Sequence, residues 1–192
     1  MPGFNVIDEV SQSLVGVLQA SLGGLPATVL SDDLQSATPP GLCLTVFLFE
    51  AGEDPSARNR PRVRSLVAPD IRVAKPPMAL LLRYLLTPWG GTEAARHAIV
   101  GLAMQTLYDN PILSGPQLVG SLAAEAQALK VTLAPLSIEE RTRVWHAVQR
   151  PYRLSVSYEV RVVNLDTAVF ESTRPVRERV LDAAVPEAEA RP

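Results

Sequence analysis

The chain has 192 residues, 47% of them hydrophobic and 20% charged, with a formal net charge of −2 and a single cysteine. A domain of this size buries about 70% of the surface its unfolded chain exposes, so its core needs no metal or disulfide. The near-neutral balance excludes a broad basic field for nucleic acid or anionic lipid, and the lone Cys43 excludes an internal disulfide or a cysteine-rich metal site.

Charge this sparse points to apolar surface that other subunits cover. Basic residues are almost all arginine, with lysine only at Lys75 and Lys130. Met1 to Val10 has neither a basic start nor an unbroken apolar run, and no segment reaches the ~18 apolar residues that span a bilayer. Synthesis and assembly are therefore expected in the cytoplasm, with no membrane partner.

Asn5 to Leu22 reads as an amphipathic helix. Val6, Val10, Leu14, Val17 and Leu18 form one stripe, and Asp8 and Glu9 sit at the positive end of its dipole. Gly23-Gly24 stops it. Ala27 to Ser31 is a short strand, followed by a polar loop that Pro39-Pro40-Gly41 closes. Leu42 to Glu50 is apolar on both faces, which suits a central strand covered on both sides. Ala51 to Pro77 is long, poor in large apolar residues, and carries Arg58, Arg60, Arg62 and Arg64; a loop of that length is functional or disordered. Met78 to Thr87 is another apolar strand, which Pro88 is expected to end.

Thr92 caps a helix that runs to about Asp109, with Ala95, Ile99, Leu102, Ala103 and Thr106 on its inner stripe and Pro111 beyond its end. Gln117 to Leu129 has helical character, and Val131 to Leu133 reads as a short strand. Ser137-Ile138-Glu139-Glu140 is a capping box, in which the Ser hydroxyl and the Glu carboxylate serve each other's backbone N–H groups. It opens a helix to about Gln149, and a long alternating strand follows over Tyr152 to Val163. Val156, Tyr158, Val160 and Val162 point one way and Ser155, Ser157, Glu159 and Arg161 the other, the pattern of a strand with one face on a core and one exposed. The expected fold is a single α/β (α+β) domain over residues 1–167, a mixed or antiparallel sheet packed with helices, followed by a polar, mobile tail over 168–192.

None of these elements carries a catalytic constellation. His97 and His146 lie on predicted helices, and Glu93 stands at ligand spacing from His97, but a metal would need further ligands that the sequence does not supply. There is no G-x-S-x-G elbow, and Gly23-Gly24 and Gly90-Gly91 fit no phosphate-binding pattern. The acid pairs Asp32-Asp33 and Glu139-Glu140 sit on a loop and at a helix start, where they do not converge on one substrate atom. No catalysis, cofactor or metal is expected.

The arginine run is the one sharp feature. If extended, it sets Arg60, Arg62 and Arg64 on one side of a ribbon. Such charge on a solvated edge blocks unwanted strand pairing. Nucleic-acid binding would call for aromatic side chains, and this segment has none. Docking on an acidic protein surface suits it best, so Arg58, Arg60, Arg62 and Arg64 are candidate protein-interface residues.

Five segments stand out when taken in order. They are the helix beginning V-I-D-E-V-S-Q-S-L, the strand L-T-V-F-L-F-E followed by an arm with R-N-R, and Pro76-Pro77 leading into L-L-L-R-Y-L-L-T. Ile99–Leu113 (I-V-G-L-A-M-Q-T-L-Y-D-N-P-I-L) and Leu136–Val160, with its V-W-H-A-V-Q-R-P-Y-R-L, complete the set. Over about residues 4 to 165 this order resembles the cap, or tail-terminator, proteins of phage-tail-like (extracellular) contractile injection systems. The resemblance implies a tail-terminator-like fold and a homo-oligomeric, hexameric ring at the end of the inner tube and sheath away from the baseplate. Such a ring would end tube polymerisation and anchor the sheath end, with the inner tube and sheath proteins as partners. It implies no nucleic acid and no cofactor, and a particle that can leave the cell. A phage neck or tail-completion protein is one alternative. A small-molecule-binding or hydrolytic α/β domain, its site assembled from distant residues, is another.

Overall fold

A computed structural model describes residues 3–35, 41–67, 70–125, 127–167 and 169–173. The chain opens with α1 (Val6–Ser21), β1 (Ala27–Ser31), β2 (Leu42–Glu53), β3 (Val63–Val67), β4 (Asp70–Ala74) and β5 (Met78–Trp89). Then come α2 (Glu93–Asp109), β6 (Ile112–Ser114), the short α3 (Gly120–Ala124), β7 (Ala128–Leu133), α4 (Ile138–Ala147), β8 (Val156–Leu165) and β9 (Phe170–Thr173). Six strands form the main sheet, in the order β1-β2-β5-β8-β7-β6, and β3-β4-β9 form a small second sheet. β1 runs parallel to β2, and the other pairings are antiparallel, so the main sheet is mixed.

β2 and β5 are apolar on both faces because both faces are covered. Leu44, Val46, Leu82, Tyr84 and Leu86 pack into one core with Val6, Val10, Leu14 and Leu18 of α1 and Ile99, Ala103 and Leu107 of α2. Their neighbours in the alternation, Cys43 and Leu85, turn to the other face and join Leu34, Trp89 and Trp145 of α4 in a smaller core. There the two indoles meet at 6.2 Å with their planes tilted by 60°, and the Arg153 guanidinium lies 4.6 Å over the Trp89 ring. Cys43 is the small buried hydrophobe its surroundings suggest, and burial pushes its thiol pKa up.

The two capped helices begin where their sequences signal. The Thr92 hydroxyl accepts from Ala95 N–H, and Ser137 and Glu140 form the reciprocal box. The acceptance lowers the pKa of the Glu140 carboxyl, chiefly through its hydrogen bond with the Ser137 side chain. Gly90 joins β5 to α2 at φ +66°, where a Cβ would stand 1.7 Å from the Gly41 carbonyl oxygen. Only glycine fits that crossing.

Several expectations need correction. Pro88 does not end β5; it pairs in register with Leu44 of β2, beyond the last pair with β8 at Leu86–Val156, where the strand has a neighbour on one side only. The Ser face of β8 is not exposed: Ser155 and Ser157 are buried, and the Trp145 indole N–H donates to Ser155 Oγ at 3.4 Å. Nor does the alternation run through the strand. A register shift between Leu80 and Leu82 brings both Val160 and Val163 to the same core. On α2, Val100 and Leu107 are buried along with Ile99 and Ala103, while Ala95, Leu102 and Thr106 are only partly so.

Gln117 to Leu129 is no continuous helix but a 3₁₀ turn, the brief α3 and the start of β7, which pairs with β6. Ala51 to Pro77 is no loop; β3 and β4 form a hairpin within it. β9 falls inside the segment read as a tail, and pairs with β4. The Pro39-Pro40 closure and residues 174–192 lie outside the described residues.

Candidate assembly interface

The arm that carries the arginines is rooted at Asp54. This residue is buried, its N–H donates to Ala79 O at 2.7 Å, and its carboxylate accepts from the Ser56 hydroxyl at 2.7 Å and the Ser56 N–H at 3.0 Å. Those two bonds lower its pKa, with Arg161 at 3.6 Å adding to the effect. Arg161 is itself fixed by Glu159 at 2.8 Å, so the root of the arm is tied to β8 by charge.

Past this root all four candidate arginines are exposed, and three of them reach different parts of the chain. Arg58 turns back to Glu53 at 3.0 Å. Arg60 donates to Asn164 Oδ1 at 2.9 Å, and Arg62 pairs with Glu171 of β9 at 3.4 Å. Arg64 lies in β3 and has no partner among the described residues. Regular strand begins only at Val63, after Pro61, so of the run only Arg64 lies on a paired strand.

Sequence reasoning missed the other exposed features. Phe4 and Tyr108 are 88% and 84% exposed, and Ile112, Ile138 and Leu133 are also open to solvent. Tyr108 and Leu133 border an apolar groove of about 850 Å³ between α2 and β7, with Met104, Leu107, Lys130 and Tyr158. The signal was present at Tyr108, which falls off the buried stripe of α2. At Leu133 nothing in the alternation distinguishes a covered position from an open one. His97 and Glu93 form an exposed pair at 3.9 Å, and among the described residues no group of three His, Cys, Asp or Glu side chains could hold a metal. No described helix is long and apolar enough to cross a membrane.

Residues 9–178 match the Pvc16 N-terminal domain. The chain belongs to the Pvc16 N-terminal domain family. No curated protein matches it. Among solved structures it is similar to the sheath/tube terminator of PVC, an extracellular contractile injection system, in its extended state. That match has a TM-score of 0.68 and 19% identity over 96% of this chain and 65% of the other. It is also similar to the tube-terminating cap of the anti-feeding prophage, with a TM-score of 0.68 and 17% identity over 91% of this chain and 60% of that one. The Pvc16 N-terminal domain fold therefore extends over nearly all of this chain, which spans less than two thirds of either terminator.

Proposed function

We propose that this chain is a structural cap of a contractile injection particle. Copies form a hexameric ring on the end of the inner tube and sheath away from the baseplate, stop tube growth, and hold the sheath's end. The family match over 170 of the chain's residues, from 9 to 178, carries the proposal. The likeness of the fold to two terminators supports it.

The physical character of the surface agrees with that role. A subunit that docks above, below and beside itself needs several distinct contact faces, and exposed Phe4, Tyr108, Ile112 and Ile138 are side chains that assembly would cover. The cap works through shape and charge, without catalysis or cofactor, on the tube and sheath proteins of its own particle. It assembles in the cytoplasm and leaves with the particle where the particle is released.

Negative-stain microscopy of particles made with and without the gene tests the proposal. Loss should give overlong or ragged tails. Sheathed tails of normal length and finish in its absence would remove the assignment.

A further inference from the structure

Among the described residues, two of the open strand edges have complementary chemistry. β2 spans Leu42–Glu53, but β1 covers only its first part: the register ends at Ser31–Val46, where Asp32 N–H donates to Val46 O. Past that point β2 pairs with β5 on one side and with no described strand on the other. Phe47 and Leu48 lie half-buried there, and Phe4, 88% exposed, stands beside them in a shallow groove of about 460 Å³ that also holds Asp8, Asp32 and Asp33. Further along the edge, Glu50 and Glu53 are already matched within the subunit by Arg83 and Arg58.

β3 is the counterpart. β4 pairs with it on one side, and no described strand lies on the other. Val63 is 49% exposed. Arg62 is matched by Glu171, Arg60 hydrogen-bonds the neutral amide of Asn164 and lies near enough to Asp54 to help lower its pKa, and Arg64 has no partner among the described residues. This edge is therefore positive where the groove beside β2 is negative.

An open edge is a template for a further strand, and in such additions the backbone supplies the bonds while side chains choose the partner. We infer that the open edge of β2 past Val46 takes the β3 edge of a second copy of this chain, with Arg60 and Arg64 set against Asp8 and Asp32 of the groove and Phe4 covered. The inference rests on the ring proposed above and names one of its contacts. Another gap in the main sheet, where β7 runs on past β6, lies next to Lys130 and would repel the arm. Donor and acceptor edges are different surfaces, so the contact is heterologous and repeats head to tail until rotation closes it.

Sedimentation velocity on the chain, over a concentration series at low and moderate salt, tests this with wild type, R60E/R62E/R64E, D8R/D32R, and an equimolar mixture of the two variants. Each variant alone should self-associate on the order of a hundredfold more weakly, because like charges then face one another. The mixture should recover wild-type association, since every contact in an alternating array again joins opposite charges. Circular dichroism and unfolding midpoints check the folds, and the single variants R64E and D32R repeat the comparison if a multiple variant unfolds. A wild-type chain that stays monomeric, variants that associate normally, or a mixture that fails to recover would each overturn the inference. Normally capped particles carrying R60E/R62E/R64E, beside overlong tails in the deletion, would remove this contact and leave the cap standing.

Discussion

The two sheets of this molecule are built on opposite terms. In the main sheet Leu44, Val46, Leu82 and Leu86 are at most 1% exposed, and apolar burial worth about 25 cal/mol per Å² fixes which residues face which helix. In the small sheet every described side chain is exposed or half-buried; Arg60 ties it to Asn164 of β8 by a polar contact, and Arg62 pairs with Glu171 within it. Exposed pairs of that kind contribute about 0–1 kcal/mol. A domain anchored by the first sheet can lend the second to a partner at little cost to its own fold.

The sharpest way to break that contrast is to attack the main sheet where its covering is thinnest. α4 meets the sheet through Trp145, which is 1% exposed and packs with Trp89, Leu85 and Cys43. Trp145→Ala should cost about 3–5 kcal/mol, through lost transfer energy and the cavity left behind. Urea unfolding would measure it. A loss below about 1 kcal/mol would mean that this second core is not one, and that the sheet is in effect covered on a single face.

The same contrast explains what could be read from the sequence. β2 and β5 were legible because their apolar runs admit no exposed face, and α1 because Val6, Val10, Leu14 and Leu18 recur at helical spacing. The covered Ser face of β8 was not legible. Ser155 and Ser157 look polar and outward, but the Trp145 indole of α4 reaches the Ser155 hydroxyl and the Ser157 hydroxyl donates to Ala134 O, contacts that only the tertiary fold makes. The β3–β4 hairpin was missed for the opposite reason. Its alternation is diluted by arginine and proline, so local composition resembles a loop even though the backbone pairs. The arginines were found as a run, but which of them turn inward to Glu53, Asn164 and Glu171 depends on strands distant in sequence.

A titration separates the sheets next. Tyr84, in the middle of β5, is buried, and its hydroxyl lies 3.0 Å from Ser11 Oγ. Burial pushes its pKa up to about 12. Below the ordinary phenol value of about 10 both folded and unfolded chains hold the proton, and the full stability is present. Between there and the raised value the unfolded chain ionises first, so stability should fall by up to about 2.7 kcal/mol as pH rises. Tyr84→Phe should cost about 1 kcal/mol at neutral pH for the lost hydrogen bond and make the alkaline slope shallower. Part of the slope should remain, because burial also raises the pKa of Tyr158. Denaturant midpoints followed from pH 8 to 12 give both numbers, and identical slopes in the two proteins would place the Tyr84 hydroxyl in contact with water.

The smallest effect is the most telling for the arm. Arg62→Ala removes the ion pair with Glu171, whose side chains are 59% and 70% exposed, and with it a link from the arm to β9. If the small sheet is held by its backbone ladder and lent outward, the unfolding midpoint should shift by no more than about 0.5 kcal/mol. A loss of about 2 kcal/mol or more would be the signature of a buried, cooperative network. The arginine arm would then be part of the fold's own foundation, and charges spent in holding it together could not also be offered to a neighbour.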